Sequence, residues 1–373
     1  SRMTRFTVTY RLATDDRSEA EARAEAIAIE QTVEVPRDVV PAGFIADEIV
    51  GRVEALEPAG DDAFAARISY SAASAGHALP QLLNVIFGNS SLNRGVRVTG
   101  IEPGAEIAAR FPGPRFGAAG LRALSGARDA YVCPVLKPQG LGPEALAELA
   151  GTCARAGAEM VKDDHGLADL EMAPFRARAR ACAAAIARAK RETGGNTLYF
   201  ATLAGPAGTV RDQALYAREA GVDGVLVMPG LHGFGALSAL AGDEDLSLPI
   251  IAHPSFLGGW VAAPDGGMTH DIVFATLMRL AGADLTIFPN FGGRFGFSRA
   301  ECAAIAAACA DPAGPGRPII PAPGGGMGTG RVGEMRAMYG PDTMFLLGGS
   351  LLRAGPKLGD EITSIRRALT EGA

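Results

Sequence analysis

A lysine, two aspartates and a histidine occupy four consecutive positions of this chain, Lys162 to His165, directly after an apolar run. Because side chains alternate between the two faces of a strand, Lys162 and Asp164 are expected to share one face and Asp163 the other. An amine and a carboxylate that point together are suited to binding a hard metal or to transferring a proton. The alternative is a strand that ends in a polar turn and caps a helix beginning near Met172.

Composition and charge exclude several classes of protein. The 373 residues are 48% hydrophobic and carry a net charge of −6, and the scattered basic residues make a nucleic-acid partner unexpected. No run approaches the roughly 20 apolar residues of a membrane span, and no apolar signal region is seen, so a cytoplasmic location is expected. The five cysteines lack metal-type spacing and are expected to be reduced core thiols.

From about residue 127 the sequence repeats a unit of short β-branched run, polar or glycine-rich break and amphipathic helix. The eight runs are Ala130–Leu136, Glu159–Asp164, Thr197–Leu203, Gly224–Pro229, Pro249–Pro254, Asp284–Pro289, Arg317–Pro323 and Thr343–Gly349. Eight such units match a closed parallel (β/α)8 TIM barrel. We therefore predict a catalytic barrel domain over residues 127–373 that ends in a helix, Asp360–Leu369.

Residues 1–126 lack the repeated strand–helix unit, and their pattern predicts a small α+β domain. Strands are predicted over Phe6–Arg11, Ala63–Tyr70 and Leu82–Phe87, with a helix over Arg17–Gln31, an order that indicates a ferredoxin-like layer. Its two notable polar residues, Glu30 and Asn89, fit helix caps as well as site residues. The predicted fold class is thus α/β, a TIM barrel preceded by this domain.

Polar residues and glycines follow the runs, and in a parallel barrel these strand ends meet at one rim. They are Lys137; Lys162, Asp164 and His165; Gly205 and Gly208; His232; His253; Asn290 and Arg294; Gly324, Gly325 and Gly326; and Gly348, Gly349 and Ser350. A lone glycine is usually a turn former and a lone histidine usually structural. Glycine turns after the last two strands nevertheless predict a phosphate site, because backbone N–H groups can reach an anion there.

The order of these motifs resembles the RuBisCO superfamily, and in particular a RuBisCO-like protein (form IV). The resemblance rests on the Lys137-Pro138 pair, the Lys162-x-Asp164 strand, His253, the Gly-Gly-Arg294 loop and the glycine turns, and it spans nearly the whole chain. It implies an obligate homodimer, or a higher oligomer built from it, in which Glu30 and Asn89 reach the partner's active site.

The resemblance also implies a metal centre and a set of catalytic residues. Lys162 would be carbamylated by carbon dioxide and would bind Mg(II) together with Asp164 and His165, although the family usually has a glutamate in place of His165. The catalytic residues implied are Lys137, Lys162, His253 and Arg294. A carbamate suits such a metal because it turns a cation into an oxygen anion.

Departures from the family argue against ribulose bisphosphate carboxylation. Gln139 stands where carboxylating members have a lysine, Arg294 replaces the lysine of the flexible loop, Ile287 replaces a histidine and Pro254 replaces an arginine. A second phosphate site is also weakened, so a substrate with a single phosphate is expected.

Three functions agree with these residues. The leading hypothesis is a carbon–carbon lyase that decarboxylates, or cleaves by transcarboxylation or hydrolysis, a phosphorylated β-keto sugar acid such as 3-oxo-isoapionate 4-phosphate. In it Lys137 would protonate the carbon and Arg294 would pair with the carboxylate. The second is an enolase or isomerase of the methionine-salvage type, which Asn89 disfavours because the family enolases have a lysine base there. The third is a sugar-phosphate-binding protein without catalysis.

Overall fold

The computed structural model describes residues 3–371, in which an open four-stranded sheet precedes a closed eight-stranded barrel. The sheet strands are β1 (Arg5–Leu12), β2 (Arg52–Pro58), β3 (Phe64–Ser71) and β4 (Val96–Glu102). The barrel strands are β5 (Tyr131–Leu136), β6 (Met160–Asp163), β7 (Leu198–Thr202), β8 (Gly224–Val227), β9 (Ile250–Ala252), β10 (Leu285–Pro289), β11 (Ile320–Gly324) and β12 (Met344–Leu347).

The helices surround both sheets. They are α1 (Arg17–Glu30), α2 (Ala72–Ala75), α3 (Leu79–Phe87), α4 (Gly104–Arg110), α5 (Gly117–Ser125), α6 (Pro143–Arg155), α7 (Phe175–Thr193), α8 (Val210–Glu219), α9 (Pro229–His232), α10 (Phe234–Gly242), α11 (Leu277–Ala281), α12 (Arg299–Ala310), α13 (Val332–Tyr339) and α14 (Leu358–Glu371). Short 3-10 helices include Asn89–Leu92 and Gly349–Lys357, and a π-helical turn, Ile272–Thr276, precedes α11. Among the described residues, no helix has an apolar stretch long enough for a bilayer span.

The first sheet is antiparallel in the order β2-β3-β1-β4, with α1 and α3 in the two crossover positions. Strand β1 alternates strictly, so that its even-numbered residues from Phe6 to Leu12 are buried and the others are half-exposed. Helix α1 begins where the carboxylate of Asp16 accepts hydrogen bonds from the backbone N–H groups of Ser18 and Glu19. The α+β, ferredoxin-like prediction is confirmed.

One predicted strand of this domain is wrong. The segment Leu82–Phe87 belongs to α3, whose buried residues Leu79, Leu82 and Ile86 recur at helical spacing. A short apolar run fits a buried strand and a buried helix equally well, and here Pro80 in the first turn favours the helix. Strands β2 and β4 were not predicted.

The barrel agrees with the sequence pattern run by run. All eight predicted runs overlap a strand, and these strands pair in parallel around a closed ring. Along β5, the side chains of Tyr131, Cys133 and Val135 pack inside the barrel, while those of Val132 and Leu136 pack beneath the helices. All five cysteines are buried and free. The division of the chain after residue 126 stays a prediction.

Candidate active site

Strand β6 brings the lysine and the two aspartates to their places as the alternation of side chains predicts. Met160 packs inside the barrel, and two residues later Lys162, which is 2% exposed, lines a cavity at the carboxyl ends of the strands. Asp163 points to the opposite face, beneath the helices, where it is fully buried. Asp164 returns to the cavity.

The cavity has a volume of about 990 Å³, a size typical of small-molecule sites. Most of the residues that the sequence places at the rim line it: Lys137, Lys162, Asp164, His165, His253, Asn290, Arg294, Gly324, Gly325, Gly326, Gly348, Gly349 and Ser350. The predicted rim residues after β7 and β8 do not line it. Instead, His232 Nε2 lies 2.7 Å from the carbonyl oxygen of Gly205, so this histidine ties two loops together.

The carboxylate of Asp164 is the centre of a charged cluster. Its Oδ1 lies 3.5 Å from Lys137 Nζ and 3.4 Å from His165 Nδ1. Burial alone would raise the pKa of Asp164, but the hydrogen bond from His165 and the positive charges of Lys162 and Lys137 outweigh it and hold the pKa well below its usual value. Asp164 is therefore ionised at every physiological pH.

The buried amine of Lys162 is the second feature of the cluster. Its Nζ donates a hydrogen bond to the backbone carbonyl of Asp163 at 3.0 Å. Burial lowers the pKa of Lys162, and the positive charge of Lys137 acts in the same direction, although Asp164 opposes both. The neutral amine, which is the form that reacts with carbon dioxide, is more populated here than on an exposed lysine.

His253 is a neutral imidazole in this setting. Its ring stacks on that of His165, with centroids 4.1 Å apart and planes at 18°. Burial and the nearby charge of Lys162 lower the pKa of His253 well below its usual value. Its Nδ1 accepts a hydrogen bond from the backbone N–H of Ser255 at 3.1 Å, so Nε2 carries the proton and can donate to a substrate oxygen.

The glycine turns form one wall of the cavity. Gly325 and Gly326 have φ values of +88° and +64°, which favour glycine. A side chain on Gly326 would lie 2.8 Å from Arg331 Nη1, whose guanidinium donates to the carbonyl oxygens of Gly326 and Phe291. Gly349 begins a 3-10 helix, so backbone N–H groups are available to an anion there.

Aromatic and aliphatic side chains make up much of the remaining wall, and the sequence patterns did not predict them. They include Phe256, Phe274, Ile287, Phe295, Phe297 and Met327. Phe256 is 78% exposed and has a φ of +70°. It follows His253 by three residues and Pro254, where the resembling family has an arginine, by two. This departure, and Ile287 in place of a family histidine, were the available signals of an apolar wall.

Glu30 and Asn89 lie outside this cavity. The side-chain amide of Asn89 donates to Glu30 Oε1 at 3.0 Å and to Glu34 Oε1 at 3.2 Å. They meet beside the first sheet, where Glu30 ends α1 and Asn89 starts a 3-10 helix. The two residues are therefore brought together by the fold, but not at this cavity of their own chain.

Comparison with known proteins identifies the family. The family described as the ribulose bisphosphate carboxylase large chain, catalytic domain, matches residues 121–293. The crystal structure of a Rubisco-like protein from Rhodopseudomonas palustris superposes with a TM-score of 0.87, at 38% identity over 98% of both chains. The chain belongs to the RuBisCO-like proteins. It is also 41% identical to the 5-methylthioribulose-1-phosphate isomerase of Rhodospirillum rubrum, over 99% of this chain and 98% of the isomerase.

A more distant relative of this RuBisCO-like protein is an enolase. The 2,3-diketo-5-methylthiopentyl-1-phosphate enolase of Geobacillus thermodenitrificans is 32% identical over 76% of this chain and 70% of its own. Both relatives are named for phosphorylated five-carbon compounds with a methylthio group. Neither name describes a carboxylase.

The residues present fit a divalent metal that accepts nitrogen better than they fit magnesium. Within residues 3–371, no three His, Cys, Asp or Glu side chains converge to hold an ion. The donors available are the Asp164 carboxylate, the His165 imidazole and Lys162, whose lowered pKa favours a carbamate. Such a set offers a nitrogen where magnesium prefers oxygen.

Proposed function

We propose that the protein is a methionine-salvage isomerase that moves a proton between carbons of a phosphorylated, methylthio-substituted ketose, the class of 5-methylthioribulose 1-phosphate. One observation carries the proposal. A neutral His253 that can donate a proton lines the same cavity as the charged cluster of Lys137, Lys162 and Asp164. An α-proton becomes acidic only when the adjacent carbonyl is polarised, and these groups provide a donor and proton carriers together.

The steps balance without any further reactant. A base removes the proton from the carbon beside the carbonyl, and the C–H electron pair forms a carbon–carbon double bond while the oxygen becomes an enolate. His253 Nε2–H donates to that oxygen. The enolate oxygen takes a proton, and the hydroxyl on the carbon that was deprotonated gives its proton up and becomes the new carbonyl, so one O–H bond forms as another breaks. Lys137, held by Asp164, carries the carbon-bound proton and returns it to the former carbonyl carbon, so the product is an isomer of the substrate. The glycine turns hold the single phosphate, and the apolar wall that includes Phe256 accepts the methylthio end.

The isomerase is preferred to the other functions for two reasons. The R. rubrum isomerase shares more of the sequence than the enolase does, 41% against 32% identity. The resemblance to the family also implies a lysine base in the enolases at the position where this chain has Asn89. The relatives thus favour the second hypothesis from the sequence over the decarboxylation of a β-keto acid, which stays a prediction.

A metal would act at Lys162, Asp164 and His165. When bound, it would stabilise the negative charge on the enolate oxygens. Lys162 would hold it as a carbamate, Asp164 as an ionised carboxylate and His165 through an imidazole nitrogen.

We also propose a homodimer with shared active sites. The Glu30–Asn89 pair lies beside the first sheet and does not line the cavity of its own chain, and Leu92 nearby is 83% exposed. An apolar side chain next to a polar pair is typical of an interface. Sedimentation that gave a monomer at micromolar concentrations would contradict this proposal.

The direct test is turnover of 5-methylthioribulose 1-phosphate in deuterium oxide. We expect an isomeric product of the same composition, with deuterium at the carbon that receives the proton and no release of carbon dioxide. Lys137→Met should lower kcat by about 10²- to 10⁴-fold, because it removes the proton carrier. Lys357→Met is the control, because Lys357 is exposed and does not line the cavity. Full turnover by Lys137→Met, or release of carbon dioxide, would contradict the proposal.

His165→Glu should change the preference for the metal. With a glutamate the set becomes all-oxygen, so we expect Mg(II) to bind the variant at least about tenfold more tightly than it binds the unchanged protein. Thermal unfolding with Mg(II), Mn(II) or Co(II), and the visible spectrum of bound Co(II), report binding without any turnover. His232→Glu, outside the cavity, is the control. Equal Mg(II) affinity in the variant and the unchanged protein would show that His165 is not a ligand.

A further inference from the structure

A second cavity, of about 730 Å³, lies at the opposite end of the barrel from the catalytic one. It is formed by the loops that precede β5, β6 and β7 and by the last turns of α14. The two cavities share no lining residue. Whatever enters the second cavity therefore does not meet the catalytic groups.

Arginines dominate the charge of this second cavity. Its lining contains Arg128, Arg155, Arg366 and Arg367 against two acidic residues. The acids are already engaged: Glu159 accepts from Arg366 Nε at 2.9 Å and from a backbone N–H at 2.9 Å.

The other acid is engaged in the same way. Asp129 accepts from Arg336 Nε at 2.7 Å and from the backbone N–H of Ala130 at 2.7 Å. Burial would raise the pKa of Asp129, but these bonds outweigh it and hold the pKa below its usual value. Neither carboxylate is left to neutralise the remaining guanidinium groups.

Those remaining groups are the donors that a ligand would meet. Arg128, Arg155 and Arg367 are exposed side chains of the lining, and none of the ion pairs among residues 3–371 joins one of them to a carboxylate. The one side-chain bond of Arg155 is a long one, 3.4 Å to Thr152 Oγ1. Three guanidinium groups around one cavity thus retain their capacity for bidentate bonds to phosphate.

The fourth arginine, Arg366, packs against the backbone at Gly157. Gly157 has a φ of +84°, and a Cβ atom on it would lie 2.4 Å from Arg366 Nη1. A side chain at position 157 would therefore displace this guanidinium from its place at the entrance to β6. The guanidinium of Arg366 is held there by the carboxylate of Glu159, and the absence of a side chain at position 157 leaves room for it.

We propose that this cavity binds a small organic anion with two phosphoryl groups. Three guanidinium groups offer more bidentate donor pairs than one phosphoryl group needs, so a compound with two phosphoryl groups makes fuller use of the lining. Nucleoside diphosphates and sugar bisphosphates share this chemistry.

The test is isothermal titration of the intact protein with inorganic pyrophosphate at low ionic strength. We expect saturable binding that the double variant Arg128→Ala/Arg367→Ala weakens at least about tenfold. The control Arg180→Ala/Arg188→Ala removes two exposed arginines of α7 and should leave the affinity unchanged. Titrations with adenosine diphosphate and fructose 1,6-bisphosphate then show which of the two sources the cavity prefers.

Arg294→Ala separates this cavity from the catalytic one. The proposal requires that Arg294→Ala leave the pyrophosphate affinity unchanged. Loss of binding in Arg294→Ala but not in the double variant would assign the anion to the catalytic cavity and overturn the proposal. Absence of saturable binding, or an equal loss in the two double variants, would overturn it as well.

Discussion

Replacing Arg178 by methionine should lower the free energy of unfolding by about 3–5 kcal/mol, because it leaves a buried carboxylate without its cation. The side chains of Arg178 and Asp163 are both 0% exposed, and Nε lies 3.0 Å from Oδ2. Asp163 also accepts from the hydroxyl of Tyr199 at 2.7 Å and from the backbone N–H of Thr202 at 3.1 Å. These neutral donors cannot replace the lost charge.

Chemical unfolding in urea measures this effect. Arg180→Met is the matched control, since Arg180 lies two residues away on α7 and is exposed; its change should stay within about 0.5 kcal/mol. The double variant Arg178→Met/Asp163→Leu removes both charges and should regain only the part of the loss that the unpaired charge causes, because Tyr199, Thr202 and the backbone carbonyls that accept from Arg178 lose their partners. If Arg178→Met lowers the free energy of unfolding by less than about 1 kcal/mol, the Arg178–Asp163 pair does not stabilise the fold as expected.

The Asp163–Arg178 pair explains how one strand end serves two purposes. Outside the barrel, the carboxylate of Asp163 fastens the end of β6 to α7. Inside, the backbone carbonyl of the same residue receives the amine of Lys162. The position of Lys162 thus depends on a hydrogen-bond network on the outer face of the barrel, which does not line the cavity.

The alternation of side chains was sufficient to predict which residues of β6 face the cavity, because a period of two leaves no other choice once the strand is fixed. It could not predict Arg178, which lies fifteen positions later and becomes a neighbour only when α7 packs on the barrel. The eight barrel strands were predictable because each is a short, wholly buried run between breaks. The segment Leu79–Phe87 was not, because burial on a helix and on a strand produces the same composition.

Loop residues were the least predictable part of the site. Rim positions after β7 and β8 were expected to face the cavity, but His232 instead binds the carbonyl of Gly205. Phe256 was not expected and lines the cavity with an exposed ring. The direction of a loop side chain follows from backbone angles and from contacts distant in sequence, neither of which has a period that a sequence pattern reveals.

Lys162→Met should abolish catalysis, with kcat lowered by about 10³-fold or more, and should not destabilise the protein. The amine is 2% exposed and burial lowers its pKa, so an apolar side chain of similar length removes a desolvation cost. The loss of turnover arises because methionine can neither form a carbamate nor hold a metal. Stability and activity therefore change independently, which separates a catalytic role from a structural one.

Two measurements complete this prediction. With ¹³C-labelled bicarbonate, the unchanged protein should give a carbamate resonance that Lys162→Met lacks and Lys357→Met keeps.

If active sites are shared between two subunits, mixing Lys162→Met with Glu30→Gln subunits should restore about a quarter of the sites, since half of the dimers are mixed and one of their two sites is intact. No recovery would mean that Glu30 does not act across the interface, whereas turnover by Lys162→Met alone would remove the lysine from the mechanism.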